Sequence, residues 1–248
     1  MLIKEKIREK FNRAACSYDQ HCDVQKEICD RSLALLSKHQ NCFNHIADFA
    51  CGTGGSTKKL LQQVRYHQCY AIDFAKNLLS LAKKNLNSEK KIDIMSGDLD
   101  EPLFEKPCLE LVFCNMGLQW AENLSRSINL FHQYLMPNGK LLFAMPIDGN
   151  FPEIKSSFKL RLPNHEAIIQ TLRREKFELI EFDINIFSAL FKDQFELLKS
   201  LKGVGANYNK SKNKYGQGLS KLKMCELFTV PENTQLTYSV GIYLAKKM

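Results

Sequence analysis

The sequence has no apolar run that approaches the roughly 20 residues needed to cross a bilayer, so it predicts no membrane partner. The N-terminal stretch MLIKEKIREK is charged from residue 4, which is not the pattern of a signal peptide. None of the nine cysteines forms a Cys-x-x-Cys pair, and an odd count favours neither a disulfide framework nor a zinc site. We therefore expect a cytoplasmic protein with reduced thiols and no metal.

Acidic residues are missing between Leu197 and Cys225. Residues 192–248 hold ten lysines and four acids, whereas residues 1–191 hold 25 basic and 23 acidic residues. A solvated surface is the ordinary interpretation of such an excess. The functional interpretation is a docking face for an acidic partner, either nucleic acid or an acidic carrier protein. Tyr208 and Tyr215 are the only aromatic residues between Leu197 and Cys225, and so few rings do not favour binding of nucleic acid.

The first 150 residues alternate between strand and helix patterns. The predicted helices are 3–15, 21–38, 56–64, 75–86 and 123–135, and the predicted strands are HIADFA, QCYAID, KIDIM, LELVFCN and KLLFAMP. The turn MPNG stops the last of these helices. This order predicts an α/β protein with a doubly wound, Rossmann-like, mostly parallel sheet whose strand C-termini share one edge, where ligands bind.

The second half is less regular. Helices are predicted at 152–160, 164–175, 192–203 and 218–227, with a loop at 204–217. Two strands, FELIEFDINIFSAL and QLTYSVGIYLAKK, bring the sheet to seven and are expected to pair antiparallel. The helices between them would form a lid over the strand C-termini.

The stretch DFACGTGGS, residues 48–56, is a glycine-rich turn between a strand and a helix. Gly52 and Gly54 lack Cβ atoms, so a ligand can approach the backbone. Ala50 stands where many such turns have a first glycine, and we expect its φ to be negative, since alanine disfavours φ > 0. Thr57 occupies the third glycine position of the dinucleotide fingerprint.

Polar residues follow the next three strands. Asp73 ends the second strand, where it can accept from both ribose hydroxyls of a nucleotide or serve as a turn residue that caps the next helix. Asp98 follows the third strand and can accept from an adenine amine while Leu99 packs on the ring. Asn115 and Met116, after the fourth strand, can meet the polar end of the ligand.

Asp48 lies beside the glycine turn, where it would repel a pyrophosphate and attract a cation. The ammonium and sulfonium groups of S-adenosyl-L-methionine suit this arrangement. Residues 46–145 resemble the class I methyltransferases, whose pattern is acid-x-Gly-x-Gly-x-Gly. We therefore count Phe74, adjacent to Asp73, among the cofactor-binding residues.

Further stretches are similar to the malonyl-[acyl-carrier-protein] O-methyltransferases of biotin synthesis. They are FNRAACSYDQHCDVQ, NMGLQWAENL, LMPNGKLLFAMP, LKGVGANYN and LTYSVGIYLAKK. The resemblance implies methylation of the free carboxylate of malonyl-acyl carrier protein, as a step toward pimeloyl groups. It also implies a single domain, 1–248, with N-terminal helices at 1–40, a cofactor-binding core at 41–150, and the lid and final strands at 151–248. A carboxylate is ionised at neutral pH, so no general base is needed.

The resemblance also implies site residues. Tyr18 would cover the cofactor near the reacting methyl as the catalytic residue, its alternative being helix packing. Gln25 would reach the methionine carboxylate or lie on the surface. Arg13 would serve structural pairing or the substrate, and Trp120 the substrate mouth or the core.

Three more residues complete the predicted substrate site. Gln119 would line the substrate mouth beside Trp120. Lys202 and Asn207 would meet the malonyl or pantetheine arm, and the lysines between 210 and 223 would dock the acidic carrier protein.

Other functions stay open at this point. One is a methyltransferase of another small acid or of a quinone-like ring, and another is a module that binds cofactor or carrier protein without turnover. An RNA methyltransferase is disfavoured, because no Asn-Pro-Pro-Tyr-like motif follows the fourth strand. The short linker after Phe158 and the scarcity of arginines in the lid bear on substrate preference.

Overall fold

The structure, a computed structural model, describes residues 2–155, 160–203, 228 and 234–248. The helices are α1 Leu2–Ala14, α2 Asp23–Ser37, α3 Gly55–Gln63, α4 Lys76–Asn85, α5 Leu124–Tyr134, α6 His165–Arg174 and α7 Gln194–Gly203. The strands are β1 His45–Phe49, β2 Gln68–Asp73, β3 Ile92–Ser96, β4 Leu109–Asn115, β5 Leu135–Pro146, β6 Phe177–Leu190 and β7 Gln235–Lys247. Short 3-10 helices cover Ala15–Gln20 and Leu118–Trp120. Within the described ranges, no helix is long and apolar enough to cross a membrane.

The strands form one seven-stranded sheet in the order β3-β2-β1-β4-β5-β7-β6. Strands β1 to β5 run parallel, and β7 pairs antiparallel with both β5 and β6. The strand order reverses between β1 and β4, which is where doubly wound sheets bind their ligands. The predicted fold class and the antiparallel pairing of the last two strands are confirmed.

The sheet has a packed core on each face, because alternate strand residues point to opposite sides. On β4, Leu111 and Phe113 join the core beneath α2, α3 and α7. Val112 and Cys114 join the core beneath α5 and α6. A smaller cluster joins α1 to α4 at the sheet edge where the strands end.

The predicted helix at 152–160 is wrong for its first four residues, which form a turn and an isolated bridge. The backbone N–H of Phe151 donates to the carbonyl of Thr237 at 2.8 Å, and Ile154 pairs with Phe228. Phe151 has φ 50°, which is incompatible with starting a helix. Pairing with the β7 region therefore overrides the helical pattern.

The other predicted elements of the described chain are confirmed to within a few residues. α5 ends at Tyr134 as expected, although MPNG forms an irregularity inside β5, with Asn138 at φ 64°, and not a separate turn. α7 lies against the 3-10 helix Ala15–Gln20. The predicted loop 204–217, the predicted helix 218–227 and residues 156–159 lie outside the described residues.

Candidate functional site

A cleft, partly open to solvent, lies at the C-terminal ends of β1 to β4. It is lined by Lys4, Phe11, Tyr18, Phe49, Ala50, Gly52, Asp73, Phe74, Leu78, Gly97, Asp98, Leu99, Met116, Gly117 and Trp120. Nine of the predicted site residues are in this set: Tyr18, Ala50, Gly52, Asp73, Phe74, Asp98, Leu99, Met116 and Trp120. The sheet edge thus brings together residues from four separate strand ends and the N-terminal helices.

The expectation of a negative φ at Ala50 is wrong, because its φ is 58°. The chain turns sharply after β1 so that the N–H of Cys51 reaches the carbonyl of Ile72 at 3.0 Å. A non-glycine residue in this left-handed region costs roughly 1–2 kcal/mol. Room for the Ala50 methyl comes from Gly117, where an added Cβ would lie 2.5 Å from the Ala50 Cβ.

The two glycines of the turn have different tasks. Gly52, at φ 59°, lines the cleft, and the Tyr18 ring lies over it, 3.8 Å from where a Cβ would be. Gly54, at φ 85°, is not in the lining, and a Cβ there would lie 2.8 Å from Leu86 Cδ1. Gly52 therefore leaves backbone accessible to a ligand, whereas Gly54 allows the turn to pack on α4.

Asp73 is 4% exposed and joins the turns after β1 and β2. Its Oδ2 accepts from the Gly52 N–H at 3.0 Å, and its Oδ1 accepts from the Ala75 N–H at 2.8 Å. Burial raises the pKa of this carboxyl to about 6, against the lowering effect of those hydrogen bonds. Asp73 both holds the turn into α4 and presents a carboxylate to the cleft.

Asp48 is fully buried and does not line the cleft. Its Oδ2 accepts from Thr57 Oγ1 at 2.7 Å and from Ser56 Oγ at 3.1 Å. Burial raises its pKa to about 7, with the two hydroxyl bonds acting in the opposite direction. The carboxyl supports the start of α3 from behind the turn, and Thr57, at the missing third glycine position, is one of its donors.

Gln25 and Asn115 meet beneath α2, beside the cleft and not in its lining. Asn115 Nδ2 donates to the Gln25 carbonyl at 3.1 Å. Gln25 Oε1 and Asn115 Oδ1, like Asp48 Oδ1, are buried acceptors without a hydrogen-bond partner among the described residues. Because buried polar atoms are rarely left unpaired, the oxygens of Gln25 and Asn115, which lie beside the cleft, suit a ligand that brings donors.

The acid after β3 is covered by a residue that sequence reasoning missed. Lys4 of α1 forms ion pairs with both Asp98 and Asp100. Asp100 also accepts from the N–H of Glu122 at 2.8 Å and from Ser127 Oγ at 3.0 Å. The sequence does show Asp100, the second acid of SGDLD, but no local pattern indicates that its partner is Lys4 on α1.

Three aromatic side chains of the lining, Phe11, Phe74 and Trp120, pack together as an aromatic wall of the cleft. The ring centroid of Phe11 lies 5.4 Å from that of Trp120 and 6.0 Å from that of Phe74, both edge-on. Trp120 therefore lines the cleft and packs against Phe11, and its role at a substrate mouth stays a prediction. Phe11 was not anticipated.

Tyr18 is a cleft residue whose hydroxyl stays protonated at neutral pH. Burial, with the nearby Cys22 and Asp73, raises its pKa well above the ordinary value. The phenol is therefore a hydrogen-bond donor and not a base.

The predicted substrate residues are less well assembled. Gln119 Nε2 donates to the Met116 carbonyl at 2.7 Å, outside the lining. The Arg13 side chain is 79% exposed and pairs with Glu9, which agrees with structural pairing. Lys202 lies on α7 with its side chain outside the description, and Asn207 and the lysines from 210 to 223 lie outside the described residues.

The set of acceptor groups fits the nucleoside end and the cationic end of S-adenosylmethionine. Carboxylates stand at the ends of β2 and β3, buried amide oxygens lie near the glycine turn, and Lys4 is the one cation in the described lining. A polyphosphate would meet two carboxylates at this edge, and Lys4 is already paired with Asp98 and Asp100.

A family model described as a methyltransferase domain matches residues 47–143. The N-methyltransferase NodS from Bradyrhizobium japonicum, solved with S-adenosyl-L-homocysteine, superposes with a TM-score of 0.65 over 98% of both chains at 14% identity, which shows a shared fold.

Two curated relatives carry the same name. Malonyl-[acyl-carrier protein] O-methyltransferase of Pectobacterium atrosepticum is 26% identical over 83% of this chain and 80% of its own. Malonyl-[acyl-carrier protein] O-methyltransferase 2 of Coxiella burnetii is 36% identical over 99% of this chain and 97% of its own. On that identity over nearly its whole length, the chain belongs to the malonyl-[acyl-carrier protein] O-methyltransferase family.

Proposed function

We propose that this protein methylates the free carboxylate of the malonyl group on acyl carrier protein, an early step in pimeloyl and biotin synthesis. The observation that carries the proposal is the 36% identity to the Coxiella burnetii enzyme over 99% of the chain. That match includes the N-terminal segment with Tyr18 and the final strand, not only the common methyltransferase core.

The cleft residues divide the binding of the cofactor between them. Asp73 is suited to the ribose hydroxyls, because both its oxygens lie at the end of β2 and one face of the carboxylate lines the cleft. Asp98 and Leu99 are suited to the adenine, as an acceptor and an apolar surface. Gly52, Met116 and the unpaired oxygens of Gln25 and Asn115 are suited to the methionine end.

S-adenosylmethionine supplies an activated methyl group on a sulfonium. The acceptor carboxylate is ionised at neutral pH, its reference pKa being about 4, so the protein does not need to remove a proton. The chain's own task is to position the acceptor and exclude water. The aromatic wall of Phe11, Phe74 and Trp120 is placed for the second task, and protonated Tyr18 can donate to an anionic acceptor.

Docking of the carrier protein is assigned to the lysines of the C-terminal region. Residues 192–248 carry ten lysines and four acids, and an acidic partner would be attracted to that excess. Lys202, Asn207 and Arg13 are proposed to contact the malonyl or pantetheine arm, and Gln119 to support the mouth through Met116.

Mass spectrometry of the carrier protein tests the proposal. Malonyl-acyl carrier protein incubated with enzyme and S-adenosylmethionine should gain one methyl group on the malonyl moiety. Acetyl-acyl carrier protein, which lacks the free carboxylate, is the matched control and should remain unchanged. Cofactor binding by calorimetry without any gain of methyl on the malonyl substrate would refute the substrate assignment.

A further inference from the structure

Helix α1 lies across the end of the cleft formed by the residues after β3. Its buried residues Ile7 and Phe11 pack against Ala75 and Leu78 of the α4 region, and Phe11 also contacts Phe74 and Trp120. Polar contacts add to this attachment, among them Asn77, whose N–H donates to Asn12 Oδ1 at 2.9 Å, and the ion pairs of Lys4. The charged contacts of Lys4 therefore help to fix the helix over the cleft.

Lys4 is held more tightly than an ordinary surface lysine. Its side chain is 14% exposed, and it bridges two carboxylates whose side chains are 13% and 5% exposed, Asp98 and Asp100. Ion pairs with so little solvent contact are screened less than surface pairs. Losing the cation would leave two neighbouring carboxylates without compensation, which is costly.

The two oxygens of Asp98 are not equivalent. Oδ1 pairs with Lys4 and accepts from the Asp100 N–H at 3.0 Å. Oδ2 has a longer contact, 3.9 Å, with Arg8 Nη2, whose guanidinium lies 5.6 Å from the centre of the Phe74 ring. Since Asp98 lines the cleft, Oδ2 is the oxygen left to accept from a ligand.

We propose that Lys4 is a positioning residue for cofactor recognition: it latches α1 over the adenine end of the cleft and fixes the Asp98 carboxylate so that Oδ2 accepts from the exocyclic amine. The inference rests on the proposed function, because it needs adenine at Asp98. Lys4 does not contact the reacting atoms. It acts through Asp98 and through the docking of α1.

Two contacts of the cleft contribute to affinity in different ways. The aromatic contact of Phe11 with Phe74 and Trp120 closes the cleft whatever the base, whereas Asp98 distinguishes an amine from a carbonyl at that position. A buried acceptor facing a carbonyl oxygen is left unpaired, and such mismatches give strong discrimination. Losing Lys4 should therefore reduce discrimination between bases, and not only overall affinity.

The test measures binding of S-adenosylhomocysteine and of S-inosylhomocysteine, which has a carbonyl in place of the amine, to the full-length protein by calorimetry. Lys4→Met should lose about tenfold in affinity for the adenine ligand and little for the inosine ligand. Lys4→Arg keeps a cation that can bridge two carboxylates and should restore most of the discrimination. Amide hydrogen exchange of α1 should be faster in Lys4→Met than in the wild type.

Lys83→Met is the control, because Lys83 is an exposed lysine of α4 outside the cleft lining. It should bind both ligands as the wild type does. Unchanged affinity for both ligands in Lys4→Met would overturn the proposal, and equal losses for both would overturn the positioning of Asp98 by Lys4. Either result leaves the proposed function standing. Failure of the wild type to bind S-adenosylhomocysteine would overturn both.

Discussion

At the scale of single residues, the carboxyl of Asp73 is the most constrained group of the cleft. It is buried, yet it holds two backbone N–H groups and still faces the ligand space. Burial raises its pKa to about 6, so the carboxyl changes charge close to physiological pH. A protonated Asp73 has one hydroxyl in place of an acceptor oxygen and suits ribose hydroxyls less well.

Affinity for S-adenosylhomocysteine should therefore fall as the pH drops through 6, by up to about tenfold per pH unit below that value. Asp73→Asn should bind more weakly at pH 7.5 and show a flat profile. Calorimetry between pH 5.5 and 8 measures both. Thermal unfolding at each pH checks that the protein is folded.

Asp48 provides the control for that profile. Its pKa, raised by burial to about 7, falls in the same pH window, but the residue does not line the cleft. Asp48→Asn should show the same fall in affinity for S-adenosylhomocysteine near pH 6 as the wild type. A flat profile in Asp48→Asn would show that the pH dependence of affinity comes from Asp48 and not from Asp73.

At the scale of elements, the turns after β1 and β4 pack together because Gly117 has no side chain. Ala50 has φ 58°, and its methyl occupies the space that a Gly117 side chain would need. Gly117 itself has φ −112°, so an alanine there would be limited by space and not by backbone conformation.

Gly117→Ala should lower the free energy of unfolding by about 2 kcal/mol, because its Cβ would lie 2.5 Å from the Ala50 Cβ and 2.8 Å from Cys114 Sγ. Ala50→Gly alone should be nearly neutral, since relief of backbone strain offsets the added freedom of the unfolded chain. Combined with Gly117→Ala, Ala50→Gly should recover part of the loss. Denaturant titration of the four proteins measures the coupling, and additive effects would contradict it.

At the scale of the whole molecule, charge is distributed unevenly. The net charge is +8, of which residues 192–248 contribute +6, from ten lysines and four acids. The ligand cleft, in contrast, is lined by two carboxylates and one lysine among the described residues. Cofactor and carrier protein are thus expected to respond differently to salt.

The KM for malonyl-acyl carrier protein should rise severalfold between 50 and 300 mM salt, whereas affinity for S-adenosylhomocysteine should change little. Replacing Lys212 and Lys214 by glutamine should flatten the salt dependence. Replacing Lys58 and Lys106, exposed lysines elsewhere, is the control and should not. A KM that ignores salt would argue against electrostatic docking.

The sequence was sufficient for most of the architecture. Alternating strand and helix patterns located β1 to β5, and acids at successive strand ends identified the cleft through Asp73 and Asp98. These signals are local, so they can be read from a short window.

What sequence reasoning missed depends on distant contacts. The φ of Ala50 is tolerated because of Gly117, and Lys4 meets Asp100 across 96 residues. The helix predicted at 152–160 is wrong over 152–155, where pairing of Phe151 with Thr237 overrides the helical pattern. Tertiary contacts decided each of these cases.

The position of β7 also constrains the order in which the fold can form during synthesis. β7 is the last of the seven strands along the chain, yet it lies between β5 and β6. Until residues 235–247 have left the ribosome, β5 and β6 lack the strand that pairs with both of them. Strand β6 is also apolar on its surface, because Phe182, Ile184 and Ile186 are exposed even in the folded protein. A nascent chain halted before Gln235 would thus present two unpaired strand edges, a state in which chaperone capture competes with folding.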